Sequence, residues 1–487
     1  MGIVLKQTAQ NTIVTFIGFG FGAINTLFLY TNILEPTYYG LVTFILATGA
    51  ILMPMMSSGA HNSLVKYYSA QQEEEKHGFL TLILLIPLLV IVPLTILLWL
   101  FYEPIGEFLS VQNALVKDYL WYLFLVGLSL AYFEVFYAWA KVHLKSVFGN
   151  FLKEVFARVC VSVLLLLLYY EVISLEFFFQ ALVGVYLLRT ILMKLYAYAV
   201  HRPVLNFTFP KDSKQIVGYG LLMVLGGSVA LILLEIDKVM INQFKSLDNV
   251  AYYGVAIYIA TSIIVPTRAM HQITYPMTAN YLNAGNSFEL ENLYKKTSLT
   301  SFIASGLLFV LIILNLDDLH ILIPEAYRDG FYIIFLIGLA KVFDSMLGNI
   351  NAILWYSKYY KWVLALGICV AVLTILLNLW LIPIYGIEGA AVASFISILL
   401  YNLSKLIFVK LKFGMLPVTN ATFKVFATLL LIAALFAMLQ FPFHPLLNIG
   451  LKSILVVAMY LGILYRFEIS EDVSGVLSKW LKKRVER

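Results

Sequence analysis

Charge is scarce in this chain: Asp, Glu, Lys and Arg make up 12% of its 487 residues, about half the share of a soluble domain. Apolar side chains fill the gap at 61%, with a mean hydropathy of +0.89, which excludes a water-soluble globular fold and leaves bilayer-spanning helices. Cysteine is almost absent. Cys160 and Cys369 both lie in apolar runs, so a disulfide scaffold is excluded and the redox compartment stays unread. The seven histidines, His61, His77, His143, His201, His271, His320 and His444, never fall at metal-ligand spacing, so no metal site is expected. A phosphate-cradling glycine loop is also missing, which argues against transport driven by ATP bound to this chain. The net charge of +6 has no long basic block behind it, so nucleic acid is not an expected partner.

What is present is a succession of long apolar stretches. Fourteen candidate spans begin near Asn11, Gly40, Phe79, Tyr119, Val155, Phe177, Ile216, Val250, Thr297, Gly330, Trp362, Gly389, Phe423 and Leu446. The last two are divided by Phe441 to Pro445, where two prolines within four residues cannot continue a helix. No cleavable signal precedes the first span, so the amino terminus is expected to be retained. Lys and Arg then set the direction. With both termini cytoplasmic, 23 basic residues fall on the inner side and five (Lys117, Lys238, Lys245, Arg328 and Lys452) on the outer, because basic loops resist translocation. Lys153 and Lys405 count among the inner loop residues here, whereas Arg158, Arg189, Lys194, Arg268 and Lys341 fall within spans.

An internal repeat crosses this pattern. Leu34-Glu-Pro-Thr-Tyr-Tyr-Gly40 precedes span two and Leu247-Asp-Asn-Val-Ala-Tyr-Tyr-Gly254 precedes span eight, an offset of 214 residues. Pro54 and Pro266 follow their respective glycines by 14 and 12 residues. An even number of spans separates the copies, so the halves are parallel repeats, an arrangement that favours a substrate site between them and alternating access.

Glu35 to Gly40, Met53 to Lys66 (MPMMSSGAHNSLVK), Ile236 to Ala256 and Leu377 to Ser394 (LNLWLIPIYGIEGAAVAS) resemble the polysaccharide transporters. These form the oligosaccharide-flippase branch, O-antigen flippases included, of the multidrug/oligosaccharidyl-lipid/polysaccharide exporter superfamily. The resemblance implies an all-α polytopic membrane protein in a bacterial inner membrane, with two six-helix bundles around a central cavity and two further carboxyl-terminal helices. Residues 1–200 and 201–412 would be the bundles, 413–465 the added helices and 466–487 a cytoplasmic tail. It also implies translocation of undecaprenyl-diphosphate-linked oligosaccharide to the outer leaflet, alongside membrane lipids, a polysaccharide polymerase and glycosyltransferases. No enzymatic activity and no cofactor are expected beyond coupling to a proton, Na+ or the membrane potential, and a monomer is the default. Gly386 and Gly389 read as structural glycines in a tight turn after Pro383.

A lipid-facing ion at mid-membrane costs about 2.5–3.5 kcal/mol, so embedded charges should pair or line a hydrated path. Glu154 and Arg158, four apart, and Lys341 and Asp344, three apart, have local partners available. Arg189, Lys194 and Arg268 have none nearby in sequence, although Lys194 and Arg268 could snorkel to the inner interface. A lipid diphosphate would require cations in the inner half of the path, which makes Arg189, Arg268, Arg158, Lys341 and Lys194 the candidate diphosphate-binding residues. Glu134, alone in span four, would neutralise Arg158 or Lys341, or bind a coupling ion together with Asp344. Glu235, Asp237 and Lys238 read as a solvated helix end, and Asp317 and Asp318 as a polar loop end. The tail from Val473, with Trp480 and Leu481 opposite Lys479, Lys482, Lys483 and Arg484, reads as a basic amphipathic helix on the inner leaflet. The competing functions are an ion-coupled exporter of small amphiphiles, which would call for several membrane carboxylates, and a membrane glycan ligase, which the short outer loops disfavour.

Overall fold

A backbone placed in hydrocarbon must satisfy its own hydrogen bonds, and a chain this apolar does so by folding into helices. The computed structural model describes residues 2–227, 229–470 and 475, and among them every regular element is helical, with no strand. The amphipathic tail expected from Val473 onward lies outside the described residues. Nine described helices are long and apolar enough to cross a membrane: Gln10–Ile33, Pro36–Ser57, Lys76–Leu100, Ala114–Val142, Leu175–Val200, Leu247–Asn283, Ser287–Leu314, Tyr360–Phe413 and Pro445–Arg466. A tenth arises if Phe331–Met346 and Ile350–Tyr356, bent by 58°, form one span. Their outward faces are apolar as lipid contact requires: Leu89 is 71% exposed and Trp99 70%.

The longest helix, Tyr360–Phe413, is broken by geometry. Gly386 adopts φ 61° and ψ −137°, a conformation open to glycine and costly for any residue with a Cβ. Three residues on, a Cβ on Gly389 would collide with the Leu381 carbonyl, so the turn after Pro383 is built as its sequence suggests.

The chain divides into two compact units: residues 1–254 with 367–390, and 255–366 with 391–487. The first has a core of buried aromatics and aliphatics including Phe79, Phe133, Trp139 and Met193. In it the two copies of the Tyr-Tyr-Gly segment meet. A Cβ on Gly40 would strike the carbonyl of Leu247, the Thr37 hydroxyl donates to Asp248 Oδ1 at 2.5 Å, and Gly254 packs on Thr43. Asn113 ties the same end, donating to the carbonyls of Asn242 and Lys245 and accepting from the Leu247 amide. At its other end Ser63 donates to the Ile216 carbonyl at 2.9 Å and Lys66 sits 3.7 Å over the Tyr219 ring.

The second unit buries Phe302, Ile432, Val456 and Tyr460 in one cluster and Tyr294, Ile353 and Val409 in another. Asp318, expected in a polar loop end, is instead 8% exposed. Its carboxylate accepts from Asn448 at 2.7 Å and stands 3.5 Å from Lys452, whose ammonium also donates to the Leu314 carbonyl at 2.9 Å. The pair was invisible in sequence because its members are 134 residues apart. Removing one member of a buried ion pair strands the other, so Asp318→Ala should cost about 3–5 kcal/mol of stability. Detergent melting curves should show that loss, and a second change, Lys452→Met, should recover most of it.

Candidate functional site

One group of charged residues in the first unit gathers around Glu134. Glu134 lies on Ala114–Val142, and facing it runs Val147–Phe151, a π-helical turn Leu152–Phe156, and Ala157–Tyr169. That stretch carries Lys153, Glu154 and Arg158, and the wide turn re-aims the first of these. Lys153 Nζ reaches Glu134 Oε1 at 2.5 Å. Glu134 is therefore neutralised across helices, as its position required, but by Lys153 and not by Arg158 or Lys341. Arg158 keeps its local partner, donating to the Glu154 carboxylate at 3.1 Å and to its carbonyl at 2.9 Å. Lys141 lies over Tyr137, 4.1 Å from the ring centre, and interacts electrostatically with Glu134, as does His61. The sequence had assigned Lys153 to a loop because charge was used to mark where spans stop.

Arg189 is different. On the Leu175–Val200 helix it is 4% exposed, its guanidinium 4.3 Å from the Phe133 ring centre and 4.9 Å from that of Tyr186. Among the described residues no carboxylate is within ion-pair distance of it, and its Nε has no hydrogen-bond partner. Glu134, Glu154 and Arg158 are the charged groups it feels from further away. Lys194, on the same helix, is exposed beside the exposed Ile191 and Leu195, 5.5 Å over the Tyr198 ring. It therefore does not join the buried group.

In the second unit Lys341 is 6% exposed on Phe331–Met346, the helix that also carries Asp344. Asp344 Oδ1 stands 3.9 Å from the ammonium of Lys405, which is 1% exposed, donates to Asn351 Oδ1 at 3.1 Å and sits 4.2 Å over the Tyr401 ring. Lys405, counted from sequence as a loop cation, is thus among the most buried charges of this unit. His271 Nε2 donates to the Gly348 carbonyl at 3.1 Å and the ring stacks on Tyr275, with Asp344 and Lys405 as its charged neighbours. Arg268 is exposed on Val265–Asn283, one helical turn before His271.

Two of the motifs that carry the family resemblance, Ile236 to Ala256 and Leu377 to Ser394, meet at Asp237. The Tyr253 hydroxyl donates to it at 2.5 Å and Asn378 Nδ2 at 2.8 Å. Asp237 is 2% exposed, so it belongs to a buried network and not to a solvated helix end, while its neighbours Glu235 and Lys238 pair at 2.7 Å. These motif residues knit helices together.

Among the described residues no three His, Cys, Asp or Glu side chains are placed to hold a metal ion. His77, His143 and His201 do converge, ring centres 5.0 and 6.2 Å from that of His201. At the helix end His201 is held below the ordinary imidazole range by burial first and then by those two neighbours. The segment that follows is pinned by the Asn206 amide donating to Thr81 Oγ1 at 3.0 Å.

A sequence model of the family described as polysaccharide biosynthesis protein matches residues 4–282, more than half of the chain. The chain belongs to that family. No curated protein matches it. Among solved structures, this polysaccharide biosynthesis protein is similar to the lipid II flippase MurJ in its inward closed conformation, with a TM-score of 0.72 at 17% identity over 94% of this chain and 99% of that one. An inward-facing multidrug resistance MATE transporter of the MOP superfamily gives 0.56 at 16% identity, covering 85% and 95%. A MATE in complex with Br-NRF gives 0.53 at 14%, covering 85% and 96%. At these identities the likeness is one of fold, and it agrees with the all-α membrane fold that the motif resemblance implied. The chain is a multi-pass helical membrane protein that shares the fold of these solved structures.

Proposed function

We propose that this protein is a flippase that moves an undecaprenyl-diphosphate-linked oligosaccharide, an O-antigen or other surface polysaccharide unit, from the inner to the outer leaflet by alternating access. The observation that carries the proposal is Arg189: a buried guanidinium in a membrane-length helix, resting on aromatic rings, with no carboxylate at ion-pair distance and no partner for its Nε among the described residues. A cation so placed is stable only if something anionic visits it, and the planar guanidinium fork matches diphosphate oxygens. Arg158, Lys341, Arg268 and Lys194 remain the accompanying candidates, with Arg158 and Lys341 the more enclosed.

Fourteen spans in two repeated six-helix bundles, both termini inside, complete the proposal. The turn at Gly386 makes Tyr360–Phe413 two passes, and the stretches 147–169, 213–244, 331–356 and 420–436 supply the other four. Each of those is interrupted, charged or short, which accounts for the lower count of uninterrupted helices. In the second unit an apolar cavity of about 430 Å³, walled by Phe302, Phe309, Phe335, Phe426 and Leu429, offers the hydrocarbon surface a prenyl chain would take. The ion-coupled multidrug exporter is less well supported, because the two carboxylates that the sequence offered as coupling candidates, Glu134 and Asp344, each face a lysine.

Reconstitution tests the proposal. Purified protein in vesicles should move fluorescent undecaprenyl-diphosphate oligosaccharide between leaflets at a rate well above that of empty vesicles. Rates equal to empty vesicles across a panel of such lipids, with drug efflux present, would favour the multidrug alternative.

A further inference from the structure

Where the helix Ala60–Tyr67 meets Ser213–Gly227, two backbones come closer than side chains would allow. Ser58 and Gly59 take φ 48° and 66°, which breaks the helix that began at Pro36 and sets a residue without a side chain at the break. Gly220 seats there. A Cβ on Gly59 would strike the Gly220 carbonyl, and a Cβ on Gly220 would crowd the Ser58 carbonyl. The docking is extended by Ser63 Oγ donating to the Ile216 carbonyl at 2.9 Å, by Lys66 3.7 Å over Tyr219, and by Tyr67 edge-on to the same ring, 5.6 Å between centres.

The two partners are held differently. Ala60, Ser63 and Leu64 are fully buried, and Ala60 and Leu64 share a core with Phe79, Phe133 and Trp139, so this segment is fixed in the interior of its unit. From Ser213 to Val224 only Ile216 and Gly220 are buried, four residues apart on one helix face. A helix attached along so narrow a stripe can lift away at the cost of exposing one large apolar side chain, Ile216. Room for movement adjoins the contact: a cavity of about 120 Å³ has Met53, Pro54 and His61 facing Met223, Val224 and Leu231. The helix from Pro36 is also gripped at its opposite end, where Gly40 abuts Leu247, and both contacts are present together.

We infer that the Gly59–Gly220 docking is an inner gate. Ser213–Gly227 seats on the Ser58–Gly59 break while the inner end is closed and lifts off it when that end opens, and the Gly40–Leu247 contact is the outer gate of the same cycle. By the proposed topology Lys66 marks the inner end, so the structure has both gates shut. The substrate and the cycle come from the flippase proposal; the residues that part come from the geometry alone.

Two measurements on the full-length protein in vesicles test the gate, both in a background of Cys160→Ser and Cys369→Ser. In the first, a short bis-methanethiosulfonate bridging Lys66→Cys and Tyr219→Cys should lower flipping of lipid-linked oligosaccharide to the rate of empty vesicles, and reductant should restore it. Bridged protein that flips as fast as reduced protein overturns the inference. In the second, the thiol of Ser63→Cys lies in the closed contact, where Ser63 is 0% exposed, so it should react with a maleimide only while the inner end is open. Adding Gly40→Val, which parts the outer contact, should slow that reaction about tenfold, because the inner gate then stays shut. A thiol that never reacts, or that reacts no more slowly with the valine present, also overturns the inference. The two measurements use different substitutions, so misfolding of one protein leaves the other decisive. Labelling needs no transport: a thiol that behaves as expected in a protein that moves no lipid-linked glycan would refute the flippase proposal and leave the gate standing.

Discussion

Replacing Arg189 with glutamine lowers flipping of lipid-linked oligosaccharide in reconstituted vesicles by about 10- to 100-fold while the protein stays folded. The magnitude follows from the interaction removed. A hydrogen bond to a charged group contributes about 1.5–3 kcal/mol, and at a site shielded from water the diphosphate has no solvent to replace it. Folding should survive because no carboxylate among the described residues is paired with Arg189 and the glutamine chain can still cover Phe133. Arg189→Lys should fall between, since an ammonium keeps the charge but loses the bidentate fork and the flat contact with the rings. Initial flipping rates with the melting temperature read alongside decide the matter. Wild-type rates in a stable Arg189→Gln protein would show that the guanidinium is structural.

Gly40→Val should stop transport almost completely. Gly40 lies where the two Tyr-Tyr-Gly segments touch, and a Cβ there would meet the backbone carbonyl of Leu247, which cannot swing aside as a side chain could. The helix pair would have to part, weakening the Thr37–Asp248 hydrogen bond and the Asn113 bonds at the same end. Overpacking of this kind costs about 1–3 kcal/mol, and under alternating access it falls on one end of the cycle only. By the proposed topology that end is the outer one, so the state closed to the outside is the one lost. A Thr37→Cys, Asp248→Cys protein should cross-link readily, and adding Gly40→Val should abolish the cross-link and flipping together. Cross-linking unchanged by the valine would refute this account of closure.

The outcome for particular residues shows how far a linear reading reaches. The Tyr-Tyr-Gly copies were visible as a repeat, and their close approach could be suspected from the glycine alone. That they would touch one another could not. Asp237 looked like a solvated helix end because Glu235 and Lys238 flank it; the groups that bury it, Tyr253 and Asn378, come from 16 and 141 residues further on. Lys153 and Lys405 escaped notice for a related reason. A charge ordinarily marks where a span ends, so a lysine near a span's end reads as a loop residue.

By itself the sequence determined that this is a helical membrane protein and which family motifs it carries. Hydropathy is a local sum over about twenty residues, and a backbone in lipid has little choice but to close its own hydrogen bonds as helix. Only the tertiary structure decided which charges are matched and which are left over. Lys153 meets Glu134, Lys452 meets Asp318 and Lys405 meets Asp344, while Arg189 meets no carboxylate among the described residues. Those pairings join helices 19 to 134 residues apart, and they depend on which helix faces pack together, a choice that local composition does not encode.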